Sequence, residues 1–222
     1  MPLDAVYDYF RTYDASTYAV FSCRGNEPAE ADLAAFEEFA GFRLPDEFRE
    51  FTKSSLGGLY MEVKEELWPR PKEYASGPFW SFCYGLQVFG IAVDIPEFLD
   101  LRVQTKRFRD ECCMDLVPFF QWISDPMIHC FDRQGRILAW RPDEPVARDE
   151  EDGTFSDFLM RKIRELEVCK DAKLRGEDKP KPAQTLAERA LARGAGPPCP
   201  KCGKPLRTAT AKQCFACGAN WH

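Results

Sequence analysis

Four cysteines near the C-terminal end constrain this chain more than any other feature: Cys199 and Cys202 in Cys-Pro-Lys-Cys-Gly-Lys, then Cys214 and Cys217 in Cys-Phe-Ala-Cys-Gly-Ala. Each C-x2-C pair sets two thiolates on one tight turn, and two such turns can close tetrahedrally on a single ion. Gly203 and Gly218, directly after the pairs, supply the backbone freedom these turns need. Four thiolates leave no coordination position for water, so one zinc ion is expected in a structural role. The 24 residues from Cys199 to His222 cannot build a useful apolar core, and the metal would take its place. Two disulfides or a thioredoxin-like redox pair are the competing readings of this spacing. No βαβ pattern surrounds either pair, and no export signal is visible. His222 could compete as a ligand, but a solvated chain end is the simpler reading.

The other six cysteines, Cys23, Cys83, Cys112, Cys113, Cys130 and Cys169, follow no pattern. With 222 residues, 45% of them apolar and 18 of them Phe, the chain can also bury one fair-sized core, which excludes global disorder. No apolar run reaches 18 residues, and Met1-Pro2-Leu3-Asp4 opens without a basic stretch or an apolar leader. A cytoplasmic protein is therefore expected, with no membrane partner.

The formal net charge of -6 conceals two opposite parts. Residues 170–222 carry 11 Lys/Arg against 4 Asp/Glu, a net of +7, which leaves residues 1–169 with 19 against 32, a net of -13. A body this acidic repels phosphate backbones and favours a basic partner surface. The basic tail could touch nucleic acid through Lys201, Lys204, Arg207 and Lys212, yet residues 170–213 contain no aromatic ring on which a base could stack. A solvated appendage or a protein-docking module is the plainer reading of the tail.

Periodicity and punctuation organise the body. Glu30–Ala40 reads as a helix with Leu33, Phe36, Phe39 and Ala40 on one side and Gly41 at its end. Leu44-Pro45-Asp46-Glu47-Phe48 opens a second helix that buries Phe48 and Phe51. Leu59–Val63 alternates weakly as a strand, and Phe89–Ile95 is expected to be another. Phe98–Asp110 reads as a short helix and a loop, while little is fixed in residues 1–28 beyond a strand at Tyr18–Ser22. Met127–Phe131 and Arg136–Trp140 flank Asp132-Arg133-Gln134-Gly135 as a hairpin. Thr154 caps a helix whose Phe155, Phe158, Leu159, Ile163 and Leu166 share one face. The aromatic stretch Phe79, Trp80, Phe82, Tyr84 and Phe89 is assigned to packing rather than to a ligand box.

Little in the body points to catalysis. With only His129 and His222, multi-histidine metal centres are excluded, and neither G-x-S-x-G nor a Walker loop is present. A Cys-His couple between His129 and Cys23, Cys83 or Cys112 is the remaining enzymatic reading, and Cys130 would point away from His129 on a strand. Cys112-Cys113 is read as structural burial. Acidic pairs such as Asp94 with Glu97 and Glu111 with Asp115 have a spacing common in any acidic domain. No catalytic residue is assigned.

The run Ala35-Phe36-Glu37-Glu38-Phe39-Ala40-Gly41-Phe42-Arg43-Leu44-Pro45-Asp46-Glu47-Phe48-Arg49-Glu50-Phe51, followed by Gly57-Gly58, resembles the SUKH superfamily, which includes the fungal cell-wall-synthesis regulators. Val117-Pro118-Phe119, the turn Phe131-Asp132-Arg133-Gln134-Gly135-Arg136-Ile137 and Thr154-Phe155-Ser156-Asp157-Phe158-Leu159 are similar to later motifs of that superfamily, in the same order. The resemblance spans about residues 28–168. It implies an α+β domain, with helices packed on a mainly antiparallel sheet and no enzymatic activity. It also implies, for many bacterial members, an immunity protein that binds and blocks a polymorphic toxin. The expected organisation is a body at 1–169, a linker with a short helix at 170–198 and a zinc ribbon at 199–222. A regulator or adaptor whose ribbon touches nucleic acid or another protein is the alternative, and a Cys/His-dependent enzyme comes third.

Overall fold

A computed structural model describes residues 3–71, 79–142, 144, 146–149, 153–177, 201–202, 217 and 219. The chain divides into two compact units, Met1–Pro180 and Lys181–His222, and the described helices and strands all lie in the first. In chain order these are α1 (Asp4–Thr12), β1 (Tyr18–Phe21), α2 (Glu30–Ala40), α3 (Asp46–Thr52) and β2 (Tyr60–Val63). A 3-10 turn (Phe79–Phe82) precedes β3 (Gly85–Val88), α4 (Leu101–Cys112), β4 (Val117–Trp122), β5 (Ile128–Phe131), β6 (Ile137–Trp140), β7 (Arg148–Asp149) and α5 (Phe155–Leu174). The seven strands form one sheet in the order β1-β2-β3-β4-β5-β6-β7, with every neighbouring pair antiparallel. The expected α+β architecture is what the structure shows.

The helix ends follow their local chemistry. Gly41 closes α2 with φ 79, a left-handed conformation that suits glycine, and its N–H bonds Glu37 O at 2.8 Å. Thr154 and Asp157 form a reciprocal capping box at the start of α5, and Glu47 Oε2 accepts both the backbone N–H of Ser156 (3.0 Å) and its hydroxyl (3.1 Å). That carboxylate fastens the first turn of α3 to the first turn of α5.

One face of the sheet carries the main core. Met61, Val63, Leu86, Val88, Phe119, Phe120, Phe131 and Ile137 pack with Phe48 and Phe51 of α3 and with Phe155, Phe158, Leu159, Ile163 and Leu166 of α5. Alternation would send Phe119 and Phe120 to opposite faces. The ladder instead pairs Pro118 with Cys130 and Phe120 with His129, leaving Phe119 as the extra residue of a bulge. Both rings then reach Phe158, at 5.3 and 5.1 Å between centroids. The same irregularity accommodates Pro118 in a central strand, where a missing N–H donor would otherwise break the ladder. On the opposite face α4 lies over β4 to β6 and closes a smaller core of Phe108, Leu116, Cys130, Leu138 and Trp140.

Several expectations change. The strand expected at Phe89–Ile95 is β3 at Gly85–Val88, and the chain then leaves the sheet; a Cβ on Gly90 would sit 2.3 Å from the Gly58 backbone nitrogen, so only glycine allows this approach. Phe98–Asp110 is not helix plus loop but contains most of a twelve-residue helix, started by Asp100, whose carboxylate accepts the Arg102 N–H. Residues 4–12 are helical. Phe39, expected on the buried side of α2, is 49% exposed and lies beneath the Arg109 guanidinium at 5.7 Å. Cys113 is exposed, because it takes the left-handed position (φ 57) that ends α4. The last body helix runs past Cys169 to Leu174, since Ala172 still packs inward. The hairpin of β5 and β6 stands as expected, with Gly135 at φ 76 and Asp132 Oδ1 accepting the N–H groups of Gln134 and Arg136, each at 2.9 Å.

Candidate functional site

The sheet face opposite α5 is covered only in part. Register places Phe21, Tyr60, Gln87, Gln121, Ile128 and Trp140 directly opposite one another across six strands, in one transverse row. At one end α4 buries the row, with Phe108 and Trp140 packed edge-to-face at 5.1 Å. Toward β1 the row comes into contact with water, and Phe21 is 45% exposed. Phe98, from the loop that leads into α4, is 48% exposed and stands 5.8 Å from the Tyr60 ring at 80°. Two exposed phenyl rings around a half-buried tyrosine are of the residue class that dominates protein interfaces.

Polar groups on this half-face hold one another in place. The Tyr60 hydroxyl donates to Glu62 Oε2 at 2.7 Å, and Arg70 pairs with the same oxygen at 2.9 Å. The Arg70 guanidinium also lies over the Tyr84 ring at 4.1 Å and donates to the carbonyls of Trp68 and Val63. Gln87 donates to Gln121 Oε1 at 3.2 Å, and Gln121 in turn donates to Asp125 O at 2.8 Å. Burial and the adjoining Glu62 carboxylate push the Tyr60 phenol well above its ordinary range, so it stays a neutral donor. The result is a surface of rings and amides whose polar groups are bonded to one another.

The sequence-derived site residues are placed differently. Of the four proposed zinc ligands, Cys199 and Cys214 lie outside the described residues, and Cys202 and Cys217 are exposed. His129 is fully buried between the rings of Phe120 (5.3 Å) and Phe158 (4.9 Å), where substrate has no access. Cys130 faces the opposite core, beneath α4. Burial also pushes the thiols of Cys23, Cys83, Cys112 and Cys130 up, and that of Cys169 to about 11, which disfavours the reactive thiolate. Glu97 is engaged by Arg107, and Asp115 by Arg109 and Arg133.

Sequence reading missed Phe21, Tyr60, Gln87 and Gln121 as a group, because their proximity depends on register. The local signal was an amide or carboxylate at the solvent-facing positions Glu62, Gln87 and Gln121 of otherwise apolar strands. Among the described residues, no helix is long and apolar enough to cross a membrane. Compared with known proteins, residues 27–161 match the family model of the SMI1 / KNR4 family (SUKH-1). No curated protein matches the chain.

Proposed function

The chain belongs to the SMI1 / KNR4 family (SUKH-1), and from that membership we propose that it is a non-enzymatic, cytoplasmic immunity-type protein that binds and neutralises a cognate toxin domain. The observation that carries this reading is the partly covered sheet, whose exposed half presents aromatic rings on a frame of mutually bonded polar groups. The net charge of -13 over residues 1–169 supports a basic partner, because opposite potentials speed encounter. Where a neighbouring gene encodes a toxin domain, co-expression with it should restore growth, and the two proteins should co-purify; unchanged killing in the presence of soluble protein overturns the reading.

We further propose that Cys199, Cys202, Cys214 and Cys217 hold one structural zinc ion. The donor set supports it: four thiols in two C-x2-C pairs match a closed tetrahedral site, whose bound metal would organise a segment too short for its own core. This ribbon would add contact area or stability to the protein. The adaptor alternative rests on the tail's net charge of +7, and salt-dependent binding of the full chain to single-stranded nucleic acid, lost on neutralising Lys201 and Lys204, would favour it.

A further inference from the structure

The exposed half-face sets a carboxylate among aromatic rings. The Tyr60 hydroxyl and the side-chain nitrogens of Gln87 and Gln121 each donate to an internal acceptor. Both Tyr60 and Arg70 address Glu62 Oε2, and among the described residues no hydrogen bond is made to Glu62 Oε1. Beside this carboxylate stand Phe21 and the edge-to-face pair of Tyr60 and Phe98. The loop carrying Phe98 adds Asp94, an exposed carboxylate.

A ligand that donates to a carboxylate, carries positive charge and stacks on rings suits this corner, and a guanidinium is such a group. The same face already seats one: Arg70 lies over Tyr84 while bonded to Glu62. We propose that the corner formed by Phe21, Tyr60 and Phe98 receives an arginine side chain from the surface of a basic partner protein, with Glu62 Oε1 as its carboxylate acceptor. The net charge of -13 over residues 1–169 favours this occupant and opposes phosphate-bearing ones. This inference rests on the reading of the domain as a binder of a basic protein, and it adds where the partner binds and by which side chain.

The test uses the full chain and two peptides, nona-arginine and nona-lysine, titrated at ~50 mM salt and followed by calorimetry. Nona-arginine should bind more tightly than nona-lysine, and Phe98→Ala or Phe21→Ala should weaken nona-arginine binding about three- to tenfold and erase the preference. Phe39→Ala removes a comparably exposed ring elsewhere and should change nothing. Equal binding of nona-arginine by wild type, Phe21→Ala and Phe98→Ala would overturn the assigned corner while leaving a basic partner in place. Absence of binding by either peptide would overturn the basic-partner reading as well. Near-identical far-UV circular dichroism and denaturant midpoints for the variants would establish that binding, not folding, has changed.

Discussion

Arg109 donates through Nη2 to Ala40 O at 2.6 Å, so a side chain of α4 satisfies a carbonyl at the end of α2, 69 residues away. The same guanidinium reaches Phe39 O (3.2 Å) and Asp115 Oδ1 (2.9 Å), and Asp115 is held from its other oxygen by Arg133 Nε at 2.7 Å. Cations near a helix C-terminus meet both the unsatisfied carbonyls and the negative end of the dipole. Because Arg109 is mostly buried, Arg109→Ala should lower stability by about 1.5–3 kcal/mol, read as a shift in the urea midpoint at pH 7. Arg109→Lys should recover little, since one ammonium cannot reproduce the planar fork. A loss below ~0.5 kcal/mol would show that water replaces these bonds at no cost.

The bulge at Phe119 makes a second prediction. Its ring stacks on Phe131 at 4.0 Å and meets Phe48, Phe155 and Phe158 within 6 Å, all in the main core. Phe119→Ala leaves a cavity that no single neighbour can fill and should cost about 3–5 kcal/mol. The exposed Phe39→Ala should stay within ~0.5 kcal/mol. Equal midpoints for the two variants in a guanidinium titration would contradict this placement of the core.

Much of the main core was legible because it is locally periodic. Phe155, Phe158, Leu159, Ile163 and Leu166 recur at helical spacing behind a Thr154 cap, and the hairpin announces itself through Asp132 and Gly135. Helix α4 was hidden by its own charge: Arg102, Lys106, Arg107, Arg109, Asp110 and Glu111 surround the stripe Leu101, Thr105, Phe108 and Cys112 and mask its repeat. The candidate site was hidden for another reason. Phe21 and Gln121 are 100 positions apart and join one row only through three consecutive strand pairings, so no local window contains them both. Cap chemistry and periodicity act over one or two turns, whereas register is a property of the finished sheet.

Alkaline pH should destabilise the domain. Burial is the leading cause that raises the phenols of Tyr9, Tyr18 and Tyr60, and Glu167 or Glu62 adds repulsion against a phenolate. Below about pH 10 these groups are protonated in both folded and unfolded chains and contribute no pH dependence. Above it the unfolded chain releases protons that the folded one retains, so stability falls as pH rises. The denaturant midpoint should be lower at pH 11 than at pH 8, and absorbance at 295 nm should show part of the seven tyrosines ionising only on unfolding. Parallel titration of all seven in the native state would refute the buried placement.

Zinc provides the last test, because the tail and the body make opposite demands on it. The body buries its own core between α5, the sheet and α4, so its cooperative unfolding should not depend on metal. The tail from Cys199 has no comparable apolar content, and its order would come from the ion. Protein purified without chelator should carry one zinc per chain by atomic absorption, lost in Cys199→Ser or Cys217→Ser and kept in Cys113→Ser, whose exposed thiol lies in the body. Each ligand variant should leave the body's urea midpoint within ~0.5 kcal/mol of wild type while making the segment after residue 180 more sensitive to protease. Retention of full zinc in both ligand variants would place the metal elsewhere, and a tail equally protease-resistant without metal would show that something other than zinc holds it together.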